Sequence, residues 1–167
     1  MKNLKDIILE KLNPFNVWIM VGLPGAGKST YIKEHLPKTI SIVSQDYIRQ
    51  ELGIMKDDIH KAIGDKEQEK EVTKINDERV EKLIKDRKDF VIDNTNVKAG
   101  RVENYYKKLK KTGANVKIVV IDTPVDVCAK RRNDCIPKSV IENMSLGIEK
   151  VKQQFKGNKD LEIIHNT

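Results

Sequence analysis

Gly22-Leu23-Pro24-Gly25-Ala26-Gly27-Lys28-Ser29-Thr30 meets the pattern G-x-x-x-x-G-K-[ST] at every fixed position. Gly22, Gly25 and Gly27 carry no Cβ, so the backbone can turn tightly and bring its N–H groups close to an anion. Lys28 adds a cation at the β- and γ-phosphates of a nucleotide, and the Ser29 hydroxyl is a hard oxygen suited to Mg²⁺. Pro24, Ala26 and Thr30 complete the candidate nucleotide contacts. A helix starting around Lys28 offers unpaired N–H groups and the positive end of its dipole. Just before the loop, Val17-Trp18-Ile19-Met20-Val21 reads as a buried strand; just after it, residues 30–36 read as a helix stopped by Pro37. A glycine-rich turn matching by chance is the bland alternative. The order strand, loop, helix argues against it, and the stretch is read as a nucleoside-triphosphate site.

Working outward, the 167 residues suit one domain with a sizeable core. Charged residues make up 34% of the chain and the mean hydropathy is −0.54, so a heavily charged surface is expected. No apolar run approaches the roughly 20 residues that span a bilayer, and the N-terminus lacks the apolar core of a signal peptide. A cytoplasmic location without membrane contact is the expectation. The net charge of +7 suits a polyanionic partner, or simply a lysine-rich solvated surface. Cys128 and Cys135 make no metal set and three histidines lie scattered, so no zinc site is expected.

Leu4, Ile7, Ile8 and Leu12 recur at helical spacing, which predicts a short amphipathic helix over residues 3–12 that covers a sheet edge or meets another subunit. Residues 39–43 predict a second strand ending in Ser44-Gln45-Asp46. Ligands of open α/β sheets sit at the carboxyl ends of strands, which puts Asp46 on the same rim as the phosphate loop. If a helical turn follows, Asp46 and Arg49 share a face, as a general base beside an anion clamp. A helix-initiating acid with a surface arginine is the plain alternative. Residues 56–88 predict one or two charged helices; from Asp57 to Glu81 nine acids face five bases, a pattern typical of a solvated face.

Phe90-Val91-Ile92 predicts a third strand, ending in Asp93-Asn94-Thr95-Asn96 on the same rim. Asp93 is a candidate Mg²⁺ ligand through water, and Thr95 and Asn96 are candidate substrate contacts or the cap of the next helix. That helix pairs an apolar side (Val102, Tyr105, Tyr106, Leu109) with six bases and one acid over residues 98–111, a candidate polynucleotide-backbone face or a solvated one. A fourth strand over residues 116–121 and a short helix from Val125 lead to Lys130-Arg131-Arg132-Asn133-Asp134. This basic segment reads as a short lid over about 128–137, with Arg131 or Arg132 placed to stabilise phosphoryl charge, or as a basic helix end. A helix from Pro137 and a last strand over residues 161–164 close the chain.

The phosphate loop, Asp46-x-x-Arg49, Asp93-Asn94-Thr95-Asn96, the Lys130-Arg131-Arg132 lid and the Leu161–Ile164 strand together resemble the 5′-kinase module of polynucleotide kinase–phosphatases from phage and animals. The resemblance runs from about Val17 to Ile164 and implies an adenylate-kinase-like P-loop kinase fold: an α/β three-layer sandwich with about five parallel strands. It implies ATP and Mg²⁺ at Lys28 and Ser29, with Asp46 taking the proton from a DNA or RNA 5′-hydroxyl. Arg49 would hold the neighbouring phosphate and a lid arginine the β- and γ-phosphates. The lid is shorter than the family's, and no D-x-D-G-T motif follows, so no phosphatase domain is expected. Residues 1–13 have no counterpart in the family, and an oligomer stays open. Two other readings remain: a kinase of a small hydroxyl acceptor such as a sugar, nucleoside, antibiotic or nucleotide-sugar, and a nucleotide-binding module without phosphoryl transfer.

Overall fold

A computed structural model describes residues 1–54, 66–132 and 136–166. The expected helices over 56–88 therefore fall partly outside the described residues, as do Cys135 and the Asn133-Asp134 end of the lid. The chain order is α1 (Leu4–Leu12), β1 (Asn16–Val21), α2 (Lys28–His35), β2 (Ser41–Val43), α3 (Gln45–Glu51), α4 (Lys66–Lys85), β3 (Phe90–Asp93), α5 (Ala99–Lys111), β4 (Asn115–Asp122), α6 (Val125–Arg131), α7 (Lys138–Gln154) and β5 (Leu161–His165).

The strands form one sheet in the order β2-β3-β1-β4-β5, parallel at every pairing. Such strands are buried on both faces, which is why they read as unbroken apolar runs. β1 lies at the centre, paired on one side with β3 (Ile19 opposite Ile92) and on the other with β4 (Ile19 opposite Ile118). All three isoleucines are fully buried. The step from β1 to β2 runs one way across the sheet and every later step runs the other way. With right-handed crossovers, α2 takes one face and α4, α5 and α7 take the opposite one. This is the P-loop kinase fold that the motifs imply.

The helices bury one face each: Val72 and Val80 on α4, Ile141, Ile148 and Val151 on α7, and on α5 Val102, Tyr105 and Leu109 of the apolar side that its spacing predicts. On α1, Leu4, Ile7 and Ile8 stay exposed, so of its two expected roles they do not fill that of sealing a sheet edge. The cap of α5 is Lys98 rather than Thr95 or Asn96, since Asn96 takes a left-handed backbone (φ 50) that precedes the helix by several residues.

Gly147, in the middle of α7, lets that helix press against the backbone of Val97. A Cβ there would overlap the Val97 carbonyl oxygen. Val97 directly follows the Asp93–Asn96 segment, so this contact sets the height of the rim over the sheet. Gly147→Ala is therefore expected to destabilise the fold by about 1–3 kcal/mol through overpacking, although alanine is the better helix former. A urea titration checks it: the midpoint should fall with an unchanged slope. A rise in the midpoint would mean that helix propensity outweighs the close approach.

Candidate active site

The phosphate loop leaves β1 at Val21 and enters α2 at Lys28. Two latches shape it. The Gly22 N–H donates to the Thr95 carbonyl at 3.1 Å, tying the loop to the end of β3. On the other side the Ala26 carbonyl accepts from the buried Thr123 hydroxyl at 2.8 Å and from Asn166 Nδ2 at 3.1 Å. Gly25 (φ 81) and Gly27 (φ 106) hold left-handed backbone that side chains resist. A Cβ on Gly25 would also lie 3.2 Å from the Cys128 carbonyl oxygen.

Lys28 curls back so that Nζ donates to the carbonyls of Gly22 and Leu23, each at 3.0 Å. Burial holds its pKa below the ordinary 10.5; Asp93 and Asp46 oppose that shift and Arg132 adds to it. The Ser29 hydroxyl lies 3.5 Å from Asp93 Oδ2. Burial pushes the Asp93 carboxyl above its ordinary 3.8, against the pull of Lys28 and with a push from Asp46. A hydroxyl and a carboxylate in near contact, at the helix end of the phosphate loop, form a hard-oxygen pair that fits Mg²⁺ with water in its shell. Ser29 and Asp93 would hold it there.

The acceptor-side candidates gather on the neighbouring strand end. Ser44 caps α3, accepting from the Tyr47 N–H at 3.4 Å. One turn holds Asp46 and Arg49 together, with Nη1 2.7 Å from Asp46 Oδ1. Their side chains differ in access: Asp46 is 64% exposed and Arg49 only 19%. Glu69 of α4 grips the rest of the guanidinium, accepting from Nε at 3.0 Å and from Nη2 at 2.8 Å. Those hydrogen bonds, more than the Asp46 contact, raise the Arg49 pKa.

The two candidate lid arginines part company. Arg131 Nη1 donates to the Gly25 carbonyl at 2.9 Å. Arg132 makes no side-chain hydrogen bond among the described residues and stands close enough to Lys28 to disfavour its charge. Asn96 is a correction to the substrate-binding expectation. Its side chain is buried, and Nδ2 donates to the Met20 carbonyl on β1 at 2.7 Å. It braces the rim from below. Thr95 contributes its carbonyl, through Gly22, and Thr30 lies exposed on the outer turn of α2.

Sequence reading missed Glu69, one of nine acids in an acidic run with nothing to single it out. It also missed Thr123 and Asn166, whose partner lies about a hundred residues away or more. The basic side of α5 is largely paired as well: Arg101 with Asp77, Lys107 with Glu103, Lys108 with Glu81, Lys110 with Asp160. A shallow depression of about 470 Å³ among Trp18, Lys117 and Glu162 lies at the amino ends of the strands, away from all of these groups. Among the described residues no helix is long and apolar enough to cross a membrane, and no cluster of His, Cys, Asp and Glu suits a metal by itself.

With this geometry in view, a family model described as "AAA domain" matches residues 17–134. The chain belongs to that AAA-domain family. The matched segment holds the phosphate loop, Asp46, Arg49, the Asp93–Asn96 rim and both lid arginines, and leaves out α1, α7 and β5. No curated protein sequence matches the chain. Among solved structures, a chain of the Pnkp1/Rnl/Hen1 RNA repair complex is similar at 26% identity and TM-score 0.70, covering 86% of this chain and 46% of its own. A candidate kinase from Chloroflexus aurantiacus J-10-fl aligns at 12% identity and TM-score 0.61 over 93% of this chain and 89% of its own. The AvrRxo1-ORF1:-ORF2 complex with ATP aligns at 14% and TM-score 0.65, over 98% of this chain and 60% of its own. The latter two speak to fold alone. This chain thus spans under half the length of the RNA-repair relative, and the resemblance read from the motifs holds for family and fold.

Two outcomes follow from the geometry. Folding raises the Asp93 pKa, so the folded state binds its proton more tightly than the unfolded chain does. Stability is then lost as pH rises through and above 3.8, and the full cost stands at neutral pH. Asp93→Asn should raise the melting temperature at pH 7, with the gain fading in acid below 3.8; a lowered melting temperature at pH 7 would contradict the burial argument. Asn96→Ala should cost about 1–3 kcal/mol of stability, because it orphans a buried carbonyl. Nucleotide affinity measured on the folded variant should stay near wild type.

Proposed function

We propose that the chain is an ATP- and Mg²⁺-dependent kinase of polynucleotide 5′-hydroxyl ends, DNA or RNA. The observation that carries the reading is the facing of two half-sites across one rim. Lys28 and Ser29 lie on the phosphate loop; the accessible Asp46 carboxylate, paired with Arg49, lies close enough to act on the Lys28 charge. A plain hydrolase would need a group to orient water. A carboxylate beside a guanidinium suits an alcohol whose neighbour is a phosphate.

In this reading Asp46 takes the proton as the 5′-oxygen bonds to the γ-phosphorus, the bond from that phosphorus to the β–γ bridging oxygen breaks, and ADP leaves. Lys28 leaves its two carbonyls for the phosphates. Arg132 is the lid arginine better placed to meet the transferring group, since Arg131 already braces Gly25. Mg²⁺, when bound near Ser29 and Asp93, neutralises charge on the phosphates. Arg49 would meet the acceptor phosphate, sharing its guanidinium with Glu69. The family match and the RNA-repair relative support the donor side more directly than the acceptor side. A cytoplasmic location accords with the reading.

A kinase of a small hydroxyl acceptor is the second reading, favoured by one observation. The bases of α5 are mostly neutralised by acids and do not lay out an open basic track.

The test is transfer of labelled γ-phosphate from ATP to 5′-hydroxyl DNA and RNA oligomers. Wild type should label them, with acceptor affinity falling steeply as salt rises. Asp46→Asn should lower kcat by about a hundredfold or more while ATP still binds. Absence of labelling on every oligomer would reject the polynucleotide reading. Labelling of small alcohols with a shallow salt slope would establish the second. ATP binding without transfer to any acceptor would leave a binding module.

A further inference from the structure

Behind the Asp93–Asn96 rim runs a chain of hydrogen bonds that neither the nucleotide groups nor the acceptor groups use. It begins at Gln45, the first residue of α3, whose N–H has no partner within the helix. That N–H donates to Asn94 Oδ1 at 2.8 Å. Asn94 Nδ2 donates to Asn76 Oδ1 at 3.1 Å. Asn76 Nδ2 donates to the Tyr105 hydroxyl at 2.9 Å. The hydroxyl donates to Asp77 Oδ1 at 2.8 Å, and Arg101 Nη2 closes the network on both Asp77 (2.8 Å) and Tyr105 (2.7 Å).

The direction of this chain is forced at both ends. A backbone N–H can only donate and a carboxylate can only accept, so each amide between them has one orientation. Tyr105 keeps its proton, because burial pushes its pKa up to about 12. Asn76 is fully buried, where an amide is tolerated only with its groups paired.

Placement adds a second argument. Glu69 and Asn76 stand seven residues apart on α4, two turns along one face. Glu69 holds Arg49 directly, and Asn76 reaches Gln45 through Asn94. α3 is short and has a single fully buried side chain, Ile48. Asp46 lies between its two anchored points.

We propose that Asn76 is a positioning residue of the acceptor half-site: through Asn94 it fixes the first turn of α3 and so aims the Asp46 carboxylate across the rim at Lys28. The proposal rests on the reading of Asp46 as the base. Asn76 touches no reacting atom and acts through Asn94.

The experiment compares Asn76→Ala with the milder Tyr105→Phe, which keeps the ring and removes the hydroxyl. Three quantities are read on folded protein: kcat and KM for a 5′-hydroxyl oligonucleotide, the Kd for ATP, and hydrogen exchange at the amides of Gln45 to Tyr47. Asn76→Ala should lower kcat by between about ten- and a hundredfold, through misplacement of the base. ATP affinity should stay within about twofold, and the Gln45 amide should exchange faster. Tyr105→Phe should move the same quantities less. Adding Asn94→Ala to Asn76→Ala should cost little more, since both break one chain. Unchanged kcat in either folded variant overturns the proposal, and so does a matched loss of ATP affinity and kcat in both. Should wild type phosphorylate no oligonucleotide, the acceptor reading fails by itself. Gln45 exchange then decides: acceleration in Asn76→Ala upholds the anchoring, and unaltered exchange overturns it.

Discussion

The half-buried ammonium of Lys28 is held by two backbone carbonyls, with Asp93 and Asp46 supplying negative charge nearby. A half-buried cation loses part of its hydration, and hydrogen bonds and nearby carboxylates offset that loss, so the arrangement around Lys28 matters. Those surroundings come from across the whole sheet. The loop carbonyls stand at the end of β1, Asp93 at the end of β3 and Asp46 just past β2, while Arg132 reaches in from beyond β4. A parallel sheet brings all four carboxyl ends to one edge, and this is the geometric reason that so distant a set of residues can share one site.

The loop itself owes its shape to neighbours on both sides. The bond from Gly22 to Thr95 extends the β1–β3 pairing past the strands, and Thr123 with Asn166 holds the far end through Ala26. These bonds fix the loop from both flanks of the central strand. The strained and buried features lie at the same rim: left-handed glycines, a left-handed Asn96, a carboxyl with a raised pKa and an ammonium with a lowered one. Such costs are common where a site is arranged for a ligand and not for stability alone.

The proposed acceptor half is built differently. Asp46 sits on a seven-residue helix that α4 supports through Glu69, Arg79 and the Asn76 network. Much of the charge on this side is already neutralised within the protein. An incoming phosphate would have to share Arg49 with Glu69, a competition that favours acceptors able to supply further contacts. This bears on how selective the proposed acceptor site is, and it separates the open Asp46 carboxylate from its half-buried partner.

The amino-acid sequence by itself determined the phosphate-loop motif between its strand and helix, the strand and helix order and the P-loop kinase fold. These rest on local physics: glycines where backbone must turn left-handed, apolar runs where strands are buried on both faces, and helical stripes that face a core. It also placed Asp46 and Arg49 together, because one helical turn is a local distance. Only the tertiary structure decided that Asn96 braces β1 instead of facing the rim, and that Glu69 grips Arg49. It alone set Arg131 on the loop, paired most of the bases of α5 with acids, and left Leu4, Ile7 and Ile8 of α1 exposed. Each of these turns on contacts between residues remote in sequence. One acid among nine, or one of two adjacent arginines, carries no local mark of the partner that the folded chain brings to it.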